Sequence, residues 1–249
     1  MLRPLRPLRN FAFALYGWRG RDENAPGRFL SRLPFRERFS VMLTIYGRAN
    51  SSNVRKVLWL CAELGLTDYE RLDYGRGYKP TSSPEYAALN PNMVVPTLKD
   101  GDLVLWESNT QLRYLASKYG PDEIYPKELA TRARVEMWLD WQLSTAVHGI
   151  RHLFQGLHVK DEAFMDPKGL GEAHEQATRC MEILDAHLGE GEGYIVGDHL
   201  TIADTSLGMF VHRWYVLPIE RRDFPALSRY YERLKERPPF QEWIVGQGV

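Results

Sequence analysis

The chain has few cysteines, no net charge and no long apolar stretch, and each of these absences excludes a class of protein. Its 249 residues contain two cysteines, Cys61 and Cys180. These are too few for an extracellular disulfide framework, so a reducing, cytoplasmic compartment is expected. No run of about 18 apolar residues occurs, so no membrane span is expected. Basic and acidic residues number 32 each, so no nucleic-acid partner is expected.

The neutral total conceals a basic start. Residues 1–41 contain nine arginines, no lysine and three acids, a net charge of +6 that leaves −6 for the rest. This composition predicts a disordered basic N-terminal extension with three roles left open. It is a tail from an upstream start, a transit peptide, or an arm that contacts a membrane surface. Met42 lies directly before the first strand pattern and suits a natural start there.

Regular periodicity begins after Met42 and predicts a strand, a helix and a second strand. Residues 43–46 form a short apolar run ended by Gly47, and residues 69–73 form another candidate strand. Between them, apolar residues at spacings of three and four predict a helix that ends at Gly65. These residues are Val54, Val57, Leu58, Cys61 and Leu64. A strand–helix–strand unit of this length predicts a parallel pair of strands.

A hairpin is predicted next. Residues 74–92 are rich in glycine and proline and predict a loop with a brief helical piece. An Asp-Gly pair at 100–101 then separates candidate strands at 96–99 and 103–106. These turn residues suit a type I′ turn, so the hairpin is antiparallel. The sheet is therefore predicted to be mixed.

Two capping boxes indicate helix starts. Ser108 is followed three residues later by Gln111, which predicts a helix from Ser108 to Gly120. Thr201 is followed in the same way by Asp204, which predicts another helix start.

Strand patterns stop after residue 126, and an all-helical domain is predicted over 127–249. A long helix is expected over about 127–158, and the helix opened at Thr201 is expected to end before Pro218. A last helix starts at Pro225 and is ended by Pro238-Pro239. Another helix carries one apolar face, formed by Ala173, Ala177, Met181, Leu184 and Leu188.

Three segments in this order carry a family resemblance. They are residues 90–98 (NPNMVVPTL), 105–109 (LWESN) and 201–204 (TIAD). They resemble the glutathione transferase superfamily, and the match extends over about residues 43–243. It implies an α/β thioredoxin-like N-terminal domain over 42–120 and an all-α helical bundle over 127–249. Met93 departs from the pattern, because relatives often have glycine there.

The resemblance implies a glutathione site. Val95 and Pro96 would be joined by a cis peptide bond, so that the Val95 backbone pairs with the cysteinyl part of glutathione. Glu107 and Ser108 would hold the γ-glutamyl end, and Lys79 is a candidate for the glycyl carboxylate. Asn53 is a further candidate to bind glutathione. Without the resemblance, Pro96 would be an ordinary trans proline. Glu107 and Ser108 would then only begin a helix.

The resemblance also names a catalytic residue. Residues 51–57 (SSNVRKV) resemble the first-helix motif of the serine-using theta and phi classes, with Ser51 as the serine. Ser51 is also compatible with a plain N-cap. Asn53 matches the bacterial Nu-like class, which favours disulfide reduction, and Tyr46 corresponds to the tyrosine of the alpha, mu and pi classes. Cys61 and Cys180 are interpreted as core residues.

The second substrate is expected between the two domains. Met137, Trp141, His148 and Trp214 are predicted to line its pocket, which suggests a hydrophobic electrophile. His148 and His152 are four residues apart but have no evident third ligand, so no metal is expected.

These residues predict a cytoplasmic detoxification enzyme. It would conjugate glutathione, used as co-substrate, to a hydrophobic electrophile. Glutathione-dependent reduction of disulfides or peroxides is an alternative, and a non-catalytic binding or scaffold protein is another. The family resemblance also implies a homodimer.

Overall fold

The computed structural model describes residues 43–191 and 193–248. The predictions made for residues 1–41 and for Met42 lie outside these ranges. A continuous hydrophobic core extends through the described part of the chain, from Leu43 to Ile244.

Four strands form the sheet predicted from the sequence. They are β1 (Leu43–Tyr46), β2 (Tyr69–Leu72), β3 (Thr97–Asp100) and β4 (Leu103–Trp106), in the order β2-β1-β3-β4. β1 runs parallel to β2 and antiparallel to β3, and β3 pairs antiparallel with β4. Gly101 adopts a φ of 62° at the hairpin turn, a left-handed conformation that glycine reaches without a Cβ clash. The prediction of a mixed sheet is confirmed.

The first helix, α1 (Ser52–Glu63), lies at the centre of the fold. Its predicted apolar face is buried, but so is every residue from Val54 to Cys61, including Arg55 and Lys56. The reason is that α1 packs against α3 (Ser108–Tyr119) on one side and α7 (Ile202–Val216) on another. The helix therefore joins the sheet half of the chain to the helical half.

The start of α3 corrects a prediction. Glu107, and not Ser108, occupies the N-cap, and no side chain caps this end. Gln111 is buried, and its amide donates instead to the carbonyls of Pro96 (3.1 Å) and Leu105 (2.9 Å). The capping box at Ser108 was wrong because these two buried carbonyls also need a donor.

The long helix predicted over 127–158 is present but has an uneven backbone. It comprises α4 (Leu129–Trp141), a π-helical turn (Gln142–Ala146), α5 (Val147–Leu153) and a second π-helical turn (Phe154–Val159). The carboxylate of Glu128 caps its start by accepting from the backbone N–H groups of Ala130 and Thr131. A brief helix, α2 (Pro84–Leu89), lies earlier in the chain, in the loop before β3.

The remaining helices are α6 (Pro167–Glu190), α7, α8 (Pro225–Lys235) and α9 (Pro238–Phe240). All five residues of the predicted apolar face of α6 are buried. The capping box of Thr201 and Asp204 is confirmed at the start of α7. Pro238 begins α9 as well as following α8, and a π-helical turn (Gln241–Val245) continues α9 and packs against α1.

Both cysteines are buried, as predicted for core residues. Burial raises the pKa of the Cys61 thiol to about 12, which leaves it protonated at neutral pH. Every helix in the described ranges is too short or too polar to span a lipid bilayer. Within those same ranges, no cluster of three or more His, Cys, Asp or Glu side chains could hold a metal ion.

Candidate active site

The N-terminal end of α1 opens onto a cavity of about 410 Å³. Ser51 occupies the N-cap with an extended backbone, but its side chain makes no capping hydrogen bond. Asn50, Ser52 and Asn53 line the same cavity. The first backbone N–H groups of a helix lack internal partners, so this end favours negative charge. The hydroxyl of Ser51 is thus left available to a ligand.

A glycine fixes how closely the neighbouring segments approach. Gly47 follows β1 with a φ of 153°, and a Cβ there would lie 2.5 Å from Cγ2 of Val54 and 3.2 Å from Cβ of Val95. Any other residue at this position would push α1 away from the loop that precedes β3. Gly47 therefore brings the start of α1 and the Val95 segment together.

The loop before β3 is held by buried polar side chains. The amide of Asn90 donates to the carbonyl of Val94 (2.8 Å) and to Oγ1 of Thr97 (3.1 Å). The hydroxyl of Tyr86 also donates to the carbonyl of Val94 (2.7 Å). The backbone N–H of Asn92 donates to Oδ1 of Asn90 (3.0 Å). These bonds make residues 90–97 a preorganised segment.

The Val95–Pro96 peptide bond is cis, as the resemblance implied. Among the residues that the structure describes, neither the N–H nor the C=O of Val95 has a hydrogen-bond partner. Backbone N–H and C=O groups in folded proteins are normally paired. Val95 therefore presents a free donor and a free acceptor, as the edge of a sheet does.

Met93 shows how the departure from the family pattern is accommodated. Its φ is 51°, a left-handed conformation that glycine adopts easily and a methionine adopts with strain. Its side chain is 45% exposed and so needs no space inside the protein. The loop keeps the backbone conformation that a glycine would allow.

Glu107 and Ser108 lie at the junction of β4 and α3. Glu107 has a φ of 69° and an exposed side chain that makes no capping bond. Ser108 is buried in the first turn of α3. A carboxylate above this helix end would meet free backbone N–H groups. Lys79 is exposed in the loop after β2, with its Nζ 5.6 Å from the centroid of the Tyr74 ring.

Tyr46 lies in a cluster of tyrosines. Its ring centroid is 5.8 Å from that of Tyr74 and 6.4 Å from that of Tyr86. Burial, followed by the nearby Tyr74 and Glu70, raises the pKa of its hydroxyl. Tyr46 is not among the residues that line the cavity beside Ser51.

Arginines line much of this cavity, and the sequence analysis missed them. Arg48 follows β1, Arg76 follows β2, Arg151 lies on α5 and Arg213 lies on α7. Apolar side chains fill the space between them, namely Val147, Phe154, Val159 and Phe210. Of the residues that the structure describes, no aspartate or glutamate lines it. The only sequence signal was the basic residue directly before Trp214.

The four side chains predicted to line a second-substrate pocket do not line this cavity. Met137 is exposed on α4, and Trp141 packs edge-to-face on Trp138 with 5.2 Å between ring centroids. His148 is exposed on α5 and borders a different cavity, shared with His152. Trp214 is buried against Phe224, since adjacent helical residues point about 100° apart and Arg213 faces the cavity instead.

Comparisons with known proteins identify the fold and its family. The family model for the glutathione S-transferase N-terminal domain matches residues 41–117, and the C-terminal domain model matches residues 162–233. Glutathione S-transferase GstB of Escherichia coli strain K12 is 32% identical, over 82% of this chain and 98% of that protein. Glutathione S-transferase F9 of Arabidopsis thaliana is 28% identical, over 82% and 97% respectively.

Comparison with a solved structure supports the same family. The theta class glutathione S-transferase of Xanthomonas axonopodis pv. citri, crystallised with glutathione bound, is 42% identical. The alignment covers 82% of this chain and 97% of that one, with a TM-score of 0.77. The family and the fold class predicted from the sequence are therefore confirmed, and the chain belongs to the glutathione S-transferase family.

Proposed function

We propose that this glutathione S-transferase activates the thiol of bound glutathione with the hydroxyl of Ser51. One observation carries the proposal: Ser51 holds the N-cap position of α1, yet its hydroxyl makes no capping bond and lines a cavity. A serine that served only as a cap would accept a hydrogen bond from the first turn.

Glutathione would lie along the segment from Val95 to Ser108. The unpaired N–H and C=O of Val95 would pair with the cysteinyl backbone, like an added strand. Ser108 and the N-terminus of α3 would hold the α-carboxylate of the γ-glutamyl end, and Glu107 its ammonium group. Lys79, whose amine is exposed, would hold the glycyl carboxylate.

The thiolate would be stabilised by the hydroxyl donor of Ser51, the N-terminus of α1 and nearby arginines. A hydrogen bond to a charged sulfur contributes about 1.5–3 kcal/mol, and a helix N-terminus about 0.3–1 kcal/mol. Because one pKa unit corresponds to about 1.4 kcal/mol, a thiol that titrates near 8.5 in water is lowered by roughly one to three units. The arginines around Ser51 add to this effect. At neutral pH a large share of bound glutathione is then thiolate.

The thiolate sulfur attacks an electrophilic carbon. A carbon–sulfur bond forms, the leaving group departs with its electron pair, and the thiol proton is released to solvent. The chain's own residues position the sulfur and hold its charge, and no metal enters the reaction. The apolar side chains of Phe154 and Phe210 would receive the body of the electrophile.

The test is the thiolate absorbance of bound glutathione, titrated from pH 5 to pH 10. We expect the thiol pKa to rise by at least one unit in Ser51→Ala. Ser52→Ala removes the hydroxyl of the next residue, which lines the same cavity, and is the matched control. An unchanged thiol pKa in Ser51→Ala would exclude the role of Ser51.

The two alternative residues are tested in the same titration. Asn53→Ala raises the thiol pKa instead if the amide of Asn53 is the donor. Tyr46→Phe raises it if the tyrosine is the donor, although Tyr46 packs among other tyrosines outside the cavity. The variant with the largest shift identifies the group that contacts the sulfur.

Reduction of small disulfides is a second candidate, supported by the exposed Asn53 on the cavity wall. In that reaction two glutathione molecules are oxidised to their disulfide while the substrate disulfide is reduced to two thiols. Turnover of 1-chloro-2,4-dinitrobenzene, compared with that of hydroxyethyl disulfide, separates conjugation from reduction. Binding of glutathione with no turnover of either substrate would favour a scaffold protein.

We also propose that the chain forms a homodimer and acts in cytoplasmic detoxification. Three apolar side chains on the long helical stretch support the dimer, since Leu129, Met137 and Leu143 are exposed. A dimer that covers these side chains would remove their apolar surface from water. Sedimentation measurements at micromolar concentration test the dimer, and Met137→Glu is expected to dissociate it.

A further inference from the structure

The charge of the cavity wall bears on which electrophile the protein accepts. Arginines come from both halves of the chain: Arg48 and Arg76 from the sheet half, Arg151 and Arg213 from the helical half. Since no acidic residue of the described part of the chain lines the cavity, the arginine charges are not balanced by described residues of its wall. A hydrophobic electrophile alone would not need such a wall.

Arg213 is the most unusual of these side chains. It is 6% exposed, and its guanidinium carbon lies 3.5 Å from the centroid of the Phe154 ring. Its Nε is buried without a hydrogen-bond partner. Within residues 43–191 and 193–248, its side chain donates no hydrogen bond and forms no ion pair. A buried cation is costly unless it is paired, so this one lacks the partner that its position demands.

Within residues 43–191 and 193–248, the other buried arginine is Arg55, and it is fully hydrogen-bonded. Arg55 donates from Nε to the carbonyl of Ala49 (3.1 Å) and from Nη1 and Nη2 to those of Gly248 (2.6 Å) and Gln247 (2.7 Å). Arg237, which is only partly buried, forms an ion pair with Glu63. An unpaired guanidinium is therefore particular to Arg213 among these three.

The surroundings of Arg213 also favour an anion. Burial lowers its pKa to about 9, and the positive charges of Arg55 and Arg48 contribute in the same direction. Arg213 remains charged at neutral pH. A bound anion would therefore offset both the desolvation cost of its charge and the repulsion from Arg55 and Arg48. Phe154 and Phe210 line the same cavity and provide an apolar surface beside this charge.

We infer that the second substrate is an electrophile with a carboxylate attached to an apolar or aromatic body, and that Arg213 binds this carboxylate. Arg151 is exposed on the same wall and assists at the rim. The inference rests on the proposed role of Ser51, because the reactive carbon must face the sulfur held there. It adds a carboxylate to the hydrophobic electrophile expected from the sequence.

The chemistry balances without any further reactant. With a chlorinated nitrobenzoate, the thiolate sulfur adds to the carbon that bears chlorine, chloride leaves with the bonding electrons, and one proton goes to solvent. The carboxylate takes no part in bond making. Its role is to orient the ring, and a matched ester without the charge lacks that role.

Two matched probes test the inference. They are 4-chloro-3,5-dinitrobenzoate and its methyl ester, which share the reactive carbon and differ in charge. We expect the kcat/KM ratio of the acid to the ester to fall about tenfold or more in Arg213→Gln, as losing one charge-assisted hydrogen bond predicts. A smaller fall is expected in Arg151→Gln. Arg134→Gln removes an exposed arginine outside the cavity and is the control.

Two results in these assays would each overturn the inference. An acid-to-ester ratio that is unchanged in both Arg213→Gln and Arg151→Gln would overturn the inference. A rise confined to the KM for glutathione would also overturn it, because the arginines would then serve a carboxylate of glutathione itself. Arg213→Lys keeps a positive charge, so it should retain part of the ratio if Arg213→Gln folds poorly, as thermal unfolding would reveal.

A binding measurement separates this inference from the proposed reaction. The unreactive probes 3,5-dinitrobenzoate and its methyl ester are titrated into the wild type and Arg213→Gln in the presence of glutathione. Preference for the acid, lost in Arg213→Gln, supports the anion site even if no turnover is observed. Equal binding of the two probes overturns the anion site even if Ser51 proves to activate the thiol.

Discussion

The Nζ atom of Lys56 lies 2.8 Å from Oδ1 of Asn109, and both side chains are buried. Oε1 of Gln142 also accepts from Lys56 (3.3 Å), and the hydroxyl of Ser206 donates to both oxygens at 3.0 Å. These four residues belong to α1, α3, the π-helical turn after α4, and α7. A polar network thus lies in the middle of the core, between the sheet half and the helical half.

The network makes stability depend on pH. Burial lowers the pKa of Lys56 from 10.5 to about 7, against a smaller opposing effect of Glu107. Above about pH 7 the folded chain releases this proton, whereas the unfolded chain keeps it until about pH 10.5. The unfolded state then binds more protons, so the contribution of Lys56 to the unfolding free energy rises with pH, by at most about 1.4 kcal/mol per unit.

Urea unfolding of the wild type and Lys56→Met between pH 6 and pH 9.5 measures this contribution. The wild type is expected to gain stability relative to the variant as the pH rises above 7. Lys168→Met removes an exposed lysine on α6 and should leave the pH dependence as it is in the wild type. Parallel curves for the wild type and Lys56→Met would contradict the prediction.

The sequence predicted the fold well where local signals decide it. Glycine and proline positions, periodicity and the box at Thr201 located the strands and most helix ends. Prediction from the sequence failed where contacts between residues far apart in the chain determine the structure. Gln111 has the spacing of a cap, but it donates to the carbonyls of Pro96 and Leu105. Lys56 lies outside the predicted apolar face of α1, yet it is buried.

The sequence also predicted only the part of the candidate site that depends on local signals. Ser51, Val95 and Ser108 were proposed as site residues because each belongs to a short contiguous motif. Arg213 has no such motif, because its significance comes from Phe154 and from charges on other elements. The cavity wall is assembled from segments more than 100 residues apart, which periodicity cannot bring together.

An ion pair fastens the end of α1 to the C-terminal region. Nη2 of Arg237 lies 2.6 Å from Oε2 of Glu63, and Nε donates to Oε1 across 2.8 Å. Glu63 is almost fully buried, with 5% of its side chain exposed, and Arg237 is 31% exposed. Arg237→Met leaves this carboxylate buried without its cation. We expect a loss of about 3 kcal/mol of unfolding free energy, measured by urea denaturation.

Two further variants test the cause. Arg237→Met combined with Glu63→Met removes both charges and should recover most of the lost stability. Arg222→Met breaks a surface ion pair with Glu182 and should cost less than about 1 kcal/mol. A double variant as unstable as the single one would show that packing, and not the unpaired charge, explains the loss.

Asp204 is a buried carboxylate that accepts hydrogen bonds from several segments of the helical half. Its carboxylate accepts from the backbone N–H groups of Thr201 (2.8 Å) and Ile195 (2.9 Å) and from the hydroxyl of Tyr230 (3.1 Å). The hydroxyl of Thr201 is a fourth donor to it (3.0 Å). Asp204→Ala leaves these four buried donors without their acceptor, so we expect a loss of about 3–5 kcal/mol. Asp198→Ala, at an exposed position nearby, should unfold close to the wild type. A loss of similar size in both variants would contradict this role.

Met93 is a position where a glycine substitution is expected to be more stable than an alanine substitution. A left-handed conformation costs a non-glycine residue about 1–2 kcal/mol. Glycine avoids that cost, but the unfolded chain then gains entropy worth about 0.4–1 kcal/mol. Since the Met93 side chain is 45% exposed, little burial is lost on truncation. Met93→Gly is therefore expected to be more stable than Met93→Ala by about 0.5 kcal/mol in paired urea titrations. A lower stability for the glycine variant would mean that the loop bears no strain at this residue.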